Sequence, residues 1–188
     1  MIGSKKQTHT IYDVSIPAFL GGLRSLSWLL DKADEFALKE QFTESELLEA
    51  RLADDMDSFR RQVQHACDTA KAAAMRLAGR SVPSIEDAES SLQELRERIS
   101  KTEEILHVLS SVDFVDSENR TIKVNLRRRW VTLAGREYLI EYALPNFFFH
   151  VTTAYAILRN QGVQIGKFDY LVDLARRRER GVPDTVSV

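Results

Sequence analysis

Cysteine is almost missing from this chain. Cys67 is the only one in 188 residues, so no internal disulfide can form. The polar start MIGSKKQTHT lacks the pattern of a secretory signal, and together these features make a reducing, cytoplasmic location the expectation. Long apolar runs are missing as well. None approaches the roughly 18 to 20 residues needed to cross a bilayer, so no membrane span is expected. Charge of one sign is also lacking, with 26 Lys and Arg against 28 Asp and Glu and a formal net charge of -2. A general nucleic-acid binder usually shows a positive excess or a basic face, so no nucleic-acid partner is expected.

What is present is enough apolar sequence for one domain whose core needs neither disulfide nor metal. The domain is expected over residues 11–171, after a flexible start at 1–10. The basic cluster Arg176, Arg177, Arg178 and Arg180, interrupted by Glu179, reads as part of a solvated, frayed tail over 172–188.

Apolar periodicity marks four long helices. The first is expected near Ser15 as its cap, with Pro17 in the first turn and a stripe of Ile16, Phe19, Leu23, Leu26, Leu30, Ala33 and Ala37. Gly21 and Gly22 inside it cost helix stability, so they read as allowing close approach of another helix or a ligand. A second helix is expected over Glu46–Leu77, stopped by Gly79. A third covers Ile85–Leu109. Between Glu118 and Gly135 the period falls to two, with Ile122, Val124, Leu126, Val131 and Leu133 alternating with polar residues. That predicts a two-stranded hairpin, and Arg127 to Arg129 at its tip would keep the edge wet. A fourth helix runs from about Gly135 to Asn160 with a kink expected at Pro145, and a turn and short helix close the domain. The fold expected is all-α, a four-helix bundle with a small hairpin between helices three and four.

The fourth helix stands out because its LPNFFFHVTTAYAILR stretch is apolar on almost every side yet carries His150. A buried imidazole needs a partner, because an unpaired buried polar group costs about 1 to 3 kcal/mol. Ala143, Phe147, His150, Ala154 and Ile157 repeat by four and three, which puts His150 on a core-facing line with room at Ala154. Either His150 is tied to a carbonyl or to a side chain of helix two, such as Gln62, Gln64 or Asp68, or it opens a polar pocket for a small molecule. Tyr155 could offer its phenol to the same cavity. The other histidines carry less: His9 and His107 read as surface residues, and His65 as facing solvent or the hairpin. No two histidines fall at the spacing that gives a metal two ligands from one helix. Gln64, Asp68 and Lys71 form a polar stripe beside the apolar one, readable as surface pairing. Cys67 has no activating histidine at fixed spacing, so no catalytic thiolate is expected. The last helix is too apolar for a recognition helix in DNA.

Three blocks together resemble one family: YDVSIPAFLGGLRSL, ARLADDMDSFRRQVQHACDTAKAAAMRLAG and ALPNFFFHVTTAYAILRNQGVQIGKFDYL. Over residues 11 to about 171 they are similar to the domain-of-unknown-function family 1993, within the DinB/YfiT-like superfamily of four-helix bundles. That resemblance implies a homodimer, and in many members a divalent metal held by one histidine of helix two and a His-x-x-x-His pair of helix four. Here the pair would match His150 and Ala154, and helix two offers Gln64 or His65. Alanine cannot coordinate and glutamine is a poor ligand for zinc or nickel, so the resemblance carries the fold and not the metal.

The expectation is a small-molecule ligand in a metal-free pocket, without cofactor. His150 and Tyr155 are the candidate catalytic residues, and Gln64, Asp68, Phe147 and Ala154 the candidate ligand-binding ones. The alternatives are a metal-dependent hydrolase or transferase with metal on His150 and either His65 or Asp68, and an interaction module with no pocket.

Overall fold

The computed structural model describes residues 9–126 and 129–174. Helix α1 spans Ile11–Glu40. It starts a turn earlier than Ser15, because Thr10 and Asp13 cap it reciprocally: Thr10 Oγ1 accepts from the Asp13 amide at 3.3 Å, and Asp13 Oδ2 accepts from the Thr10 amide at 2.9 Å. Pro17 therefore sits within the helix rather than in its first turn, on an exposed face where water can take the freed carbonyl.

The expected second helix is two. Short α2 (Glu44–Glu49) and long α3 (Phe59–Leu77) are separated by an irregular link. Asp54, Asp55, Asp57 and Ser58 crowd that link, and short polar side chains of this kind compete with helical hydrogen bonds. The Phe59 amide closes it by donating to the Ala50 carbonyl at 2.9 Å. Leu52, expected on the buried stripe, is 42% exposed.

Helix α4 runs over Leu92–His107, not from Ile85. Ser91 caps it, accepting from the Glu94 amide at 3.1 Å. The preceding residues stay irregular because Arg98 of α4 claims them: its Nη1 donates to the Glu86 carbonyl at 3.1 Å and to Glu89 Oε1 at 2.8 Å.

The hairpin forms as its alternation predicts. Strands β1 (Thr121–Leu126) and β2 (Arg129–Ala134) are antiparallel, with Ile122 opposite Leu133 and Val124 opposite Val131. Ile122 and Val124 are buried. Of the expected tip, Arg127 and Arg128 lie outside the described residues, as do residues 1–8 of the expected flexible start and 175–188 of the expected tail.

The last long helical run is continuous but changes gauge. After α5 (Gly135–Glu137), Tyr138–Ala143 winds as a π-helix and α6 (Leu144–Asn160) as an α-helix. The irregularity expected at Pro145 thus lies in the turn before it. Proline offers no amide and crowds the carbonyl four residues back, and a wider turn relieves both. Helix α7 (Lys167–Tyr170) follows, anchored through Ser25 Oγ, which donates to the Tyr170 carbonyl at 2.7 Å.

The four long helices α1, α3, α4 and α6 share one core: α1 and α3 each pack against both α4 and α6. The small residues Ala66, Ala70, Ala73 and Ala74 of α3 are fully buried in this core. On α1 the two glycines differ. A Cβ on Gly22 would lie 2.4 Å from the Phe147 ring, whereas one on Gly21 would meet nothing nearer than Asp173 at 3.7 Å. Close helix approach thus requires glycine only at position 22. The chain is mostly helical with a small two-stranded sheet, and among the described residues no helix is long and apolar enough to cross a membrane.

Candidate functional site

Helices α3 and α6 run antiparallel, and one seam between them is polar. His65, Asp68, Thr69, Ala72 and Arg76 of α3 face Tyr138, Tyr142, Asn146 and His150 across a cleft of about 190 Å³. Larger surface hollows exist, including one of about 540 Å³ between the end of α1 and Gly162–Gln164. The α3–α6 cleft is the better candidate because histidine, arginine and tyrosine converge in it.

His150 is half-buried at one end of the cleft. Its Nδ1 lies 2.8 Å from Gln62 Oε1, and the Gln62 amide nitrogen donates to the Asp57 carbonyl at 3.0 Å. That orientation leaves Oε1 to accept, so Nδ1 carries the proton and Nε2 is a free acceptor. Burial, then the neighbouring His65, lowers the His150 pKa to about 4, against a smaller opposing pull from Asp57. At neutral pH the ring is therefore an uncharged acceptor. The His65 ring sits 5.0 Å away centre to centre, and its Nε2 is 3.1 Å from Asp57 Oδ2. Along the cleft, Asn146 Nδ2 donates to Thr69 Oγ1 at 2.9 Å. Arg76 Nη1 donates to the Tyr138 hydroxyl at 3.3 Å, and Tyr138 stacks on Tyr142.

The structure separates the residues singled out from the sequence. His150 and Asp68 line the cleft. Gln64 is buried in a different network, donating to Glu89 Oε2 at 2.7 Å and accepting from Arg61 Nη1 at 2.8 Å. Phe147 and Ala154 are fully buried core residues, Phe147 packing edge-on against Phe19. Tyr155 packs against Tyr170 and is not among the cleft residues. His65 does not simply face solvent; it is half-buried beside His150. Arg76, Tyr138, Tyr142 and Asn146 escaped the sequence reading, yet a signal existed. Tyr138, Tyr142, Asn146 and His150 repeat by four, one row over from the core-facing line.

Cys67 stands apart from the cleft residues. It is buried, and that burial pushes its thiol up to about 12.

The sequence matches a domain of unknown function, DUF1993, over residues 11–171. The chain belongs to the DUF1993 family. It is also similar to the crystal structure of a DinB family member from Shewanella denitrificans, with 42% sequence identity and a TM-score of 0.79, covering 86% of this chain and 91% of that one. No curated protein matches it. The three-histidine metal pattern of DinB-like bundles does not fit this DUF1993 chain. Ala154 stands fully buried where the second α6 histidine would be, and Gln64 is turned into its own network. Among the described residues no group of three or more His, Cys, Asp and Glu is placed to hold a metal ion.

Proposed function

We propose that this protein is a four-helix bundle of the DinB type that binds a small organic molecule in the α3–α6 cleft, without a metal. One observation carries the reading: His150 is fixed in a single tautomer by Gln62, with an unprotonated Nε2 left over at a cleft that other polar groups also line. Nε2 is the one atom of the ring still able to accept a hydrogen bond from a ligand. If the ligand is transformed, Nε2 is the base. Tyr155, which packs on Tyr170, has no part in this version of the site.

The test is a small-molecule screen followed through the His150 ring protons by NMR, repeated with His150→Asn. Asparagine places its amide N–H where Nδ1–H was and supplies nothing at Nε2. Binding that moves the His150 signals and is lost in His150→Asn supports the reading. Ligands that bind equally to both proteins overturn it.

The assembly that goes with this reading is a homodimer. Ile140 and Phe149, on the helical run bordering the cleft, are 52% and 55% exposed, an apolar area a second copy would cover. Light scattering checks it, and a mass of 21.5 kDa, that of a single chain, would count against it.

A further inference from the structure

Among the described residues, one charge of the cleft has no counter-charge in ion-pair distance. Asp68, its acidic wall, is matched twice over: its Oδ1 lies 2.8 Å from Lys71 Nζ and 2.9 Å from Arg98 Nη2. Arg76 is different. It is exposed, touches the Tyr138 hydroxyl, and has no carboxylate within ion-pair distance among the described residues. Its remaining N–H groups form a planar fork of the shape a carboxylate accepts. Tyr138 adds another donor. Burial raises its pKa against a smaller opposing effect of Arg76, so the phenol keeps its proton, and with its oxygen already accepting from Arg76 the O–H is free to donate.

The other end of the cleft has the opposite character, since His150 presents an acceptor. Between the ends lie the stacked Tyr138 and Tyr142 rings, the methyl of Ala72, and the Asn146–Thr69 pair. Eleven residues separate His65 from Arg76, about 16 Å of helix rise. A compact anion could satisfy Arg76 but could not reach His150.

We infer that the cleft takes an elongated organic carboxylate, its anionic end held by Arg76 and the Tyr138 hydroxyl, and an N–H or O–H at its other end donated to Nε2 of His150. The inference rests on the reading of this cleft as a small-molecule site. It adds charge, length and orientation. A cationic ligand is repelled at the Arg76 end, and a neutral one leaves the guanidinium unmatched.

The experiment uses the full chain and two graded series, ω-amino and ω-hydroxy carboxylates of increasing length and the corresponding carboxamides, with affinity read from the His150 ring protons. The expected result is that carboxylates of a preferred length bind at least about tenfold more tightly than their carboxamides. Arg76→Gln should erase that preference by weakening the carboxylates alone, in a protein still fully folded at the assay temperature, and inorganic phosphate should leave the His150 signals where they are. Equal binding of the two series, or a carboxylate affinity indifferent to Arg76→Gln, overturns the inference and leaves the small-molecule reading standing. If neither series binds but other fragments perturb His150, the inference alone falls. If nothing perturbs His150, both fall.

Discussion

Helix α3 borders two polar clusters that answer opposite questions. Around Arg98, three cations (Arg61, Lys71, Arg98) meet three carboxylates (Asp68, Asp87, Glu89), and Gln64 bridges Arg61 and Glu89. Arg98 is 1% exposed, and only its Nε among these contacts is left without an acceptor or a counter-charge. Burial works to raise the Asp87 carboxyl, yet the Arg61 hydrogen bond and the Arg98 charge hold it below the usual carboxylate range. Around His150 the polar groups range from buried to exposed, with an imidazole acceptor at one end and, among the described residues, a guanidinium without a carboxylate in ion-pair distance at the other. A charge deep in the protein is tolerated only when its partners are also there. The first cluster is therefore structure, fastening residues 86–89 to α3 and α4. The second is where the proposed ligand would find its partners.

The largest expected effect breaks the matched cluster. Arg98→Leu strands Asp68, Asp87 and Glu89 without their common cation and should cost about 3 kcal/mol, the low end for breaking a buried pair because Asp68 and Asp87 remain part-exposed. Urea unfolding measures it, and a loss below about 1 kcal/mol would show the network to be solvated rather than buried. The same cut in the cleft should be smaller. His150→Leu leaves Gln62 Oε1 without its donor in a residue only 2% exposed, a cost of about 1–2 kcal/mol. His150→Asn can keep that bond and should unfold within about 0.5 kcal/mol of wild type. If asparagine is as costly as leucine, the Gln62 bond is not what holds the ring.

The contrast between the clusters also explains what could be read in advance. Strict alternation at Ile122, Val124, Val131 and Leu133 identifies the hairpin, because a period of two has only one structural meaning. Long apolar stripes likewise announce α1, α3, α4 and α6. Their boundaries were harder to read, because the decisive groups are tertiary. Residues 85–91 have a helical pattern, but Arg98 pulls the Glu86 carbonyl and the Glu89 carboxylate out of it. Gln64 and Asp68 lie four apart on one helix and look like a single stripe, yet Glu89, 25 residues from Gln64, claims its amide and separates it from the cleft. His150 was visible as a polar atom in an apolar helix. Its neighbours show only as a repeat of four, which drifts around an ordinary α-helix and becomes one row because Tyr138–Ala143 winds as a π-helix.

A pH series sharpens the comparison further. The His150 pKa of about 4 lies below its ordinary value of 6.5, so the unfolded chain binds the proton more readily than the folded one. Stability from this ring is complete above about pH 6.5 and is lost as pH falls toward 4. The loss should be about 1–2 kcal/mol, the full linkage value being reduced by the ring's partial exposure. Denaturation curves across that interval check it. The His150→Asn protein should lack this component, leaving only the carboxylates that both proteins share. Parallel pH profiles for the two proteins would mean that the folded ring titrates as it does when unfolded.

A small expected effect is the most discriminating, because it sets one arginine against another. Arg76→Gln removes a hydrogen bond of 3.3 Å to Tyr138 and a favourable charge in the last turn of α3. The bond is long and part-buried and the charge is exposed, together worth about 0.5–1 kcal/mol. Arg98→Leu should cost several times as much. The same two substitutions should rank in reverse for carboxylate binding: Arg76→Gln weakens it, whereas Arg98→Leu, assayed at a temperature where it is still folded, leaves the Arg76 fork and the Tyr138 hydroxyl in place. Unfolding curves and ligand titrations on the two proteins give four numbers. If the arginine that matters more for stability also matters more for binding, the two clusters are one unit, and the division of α3 into a structural face and a ligand face fails.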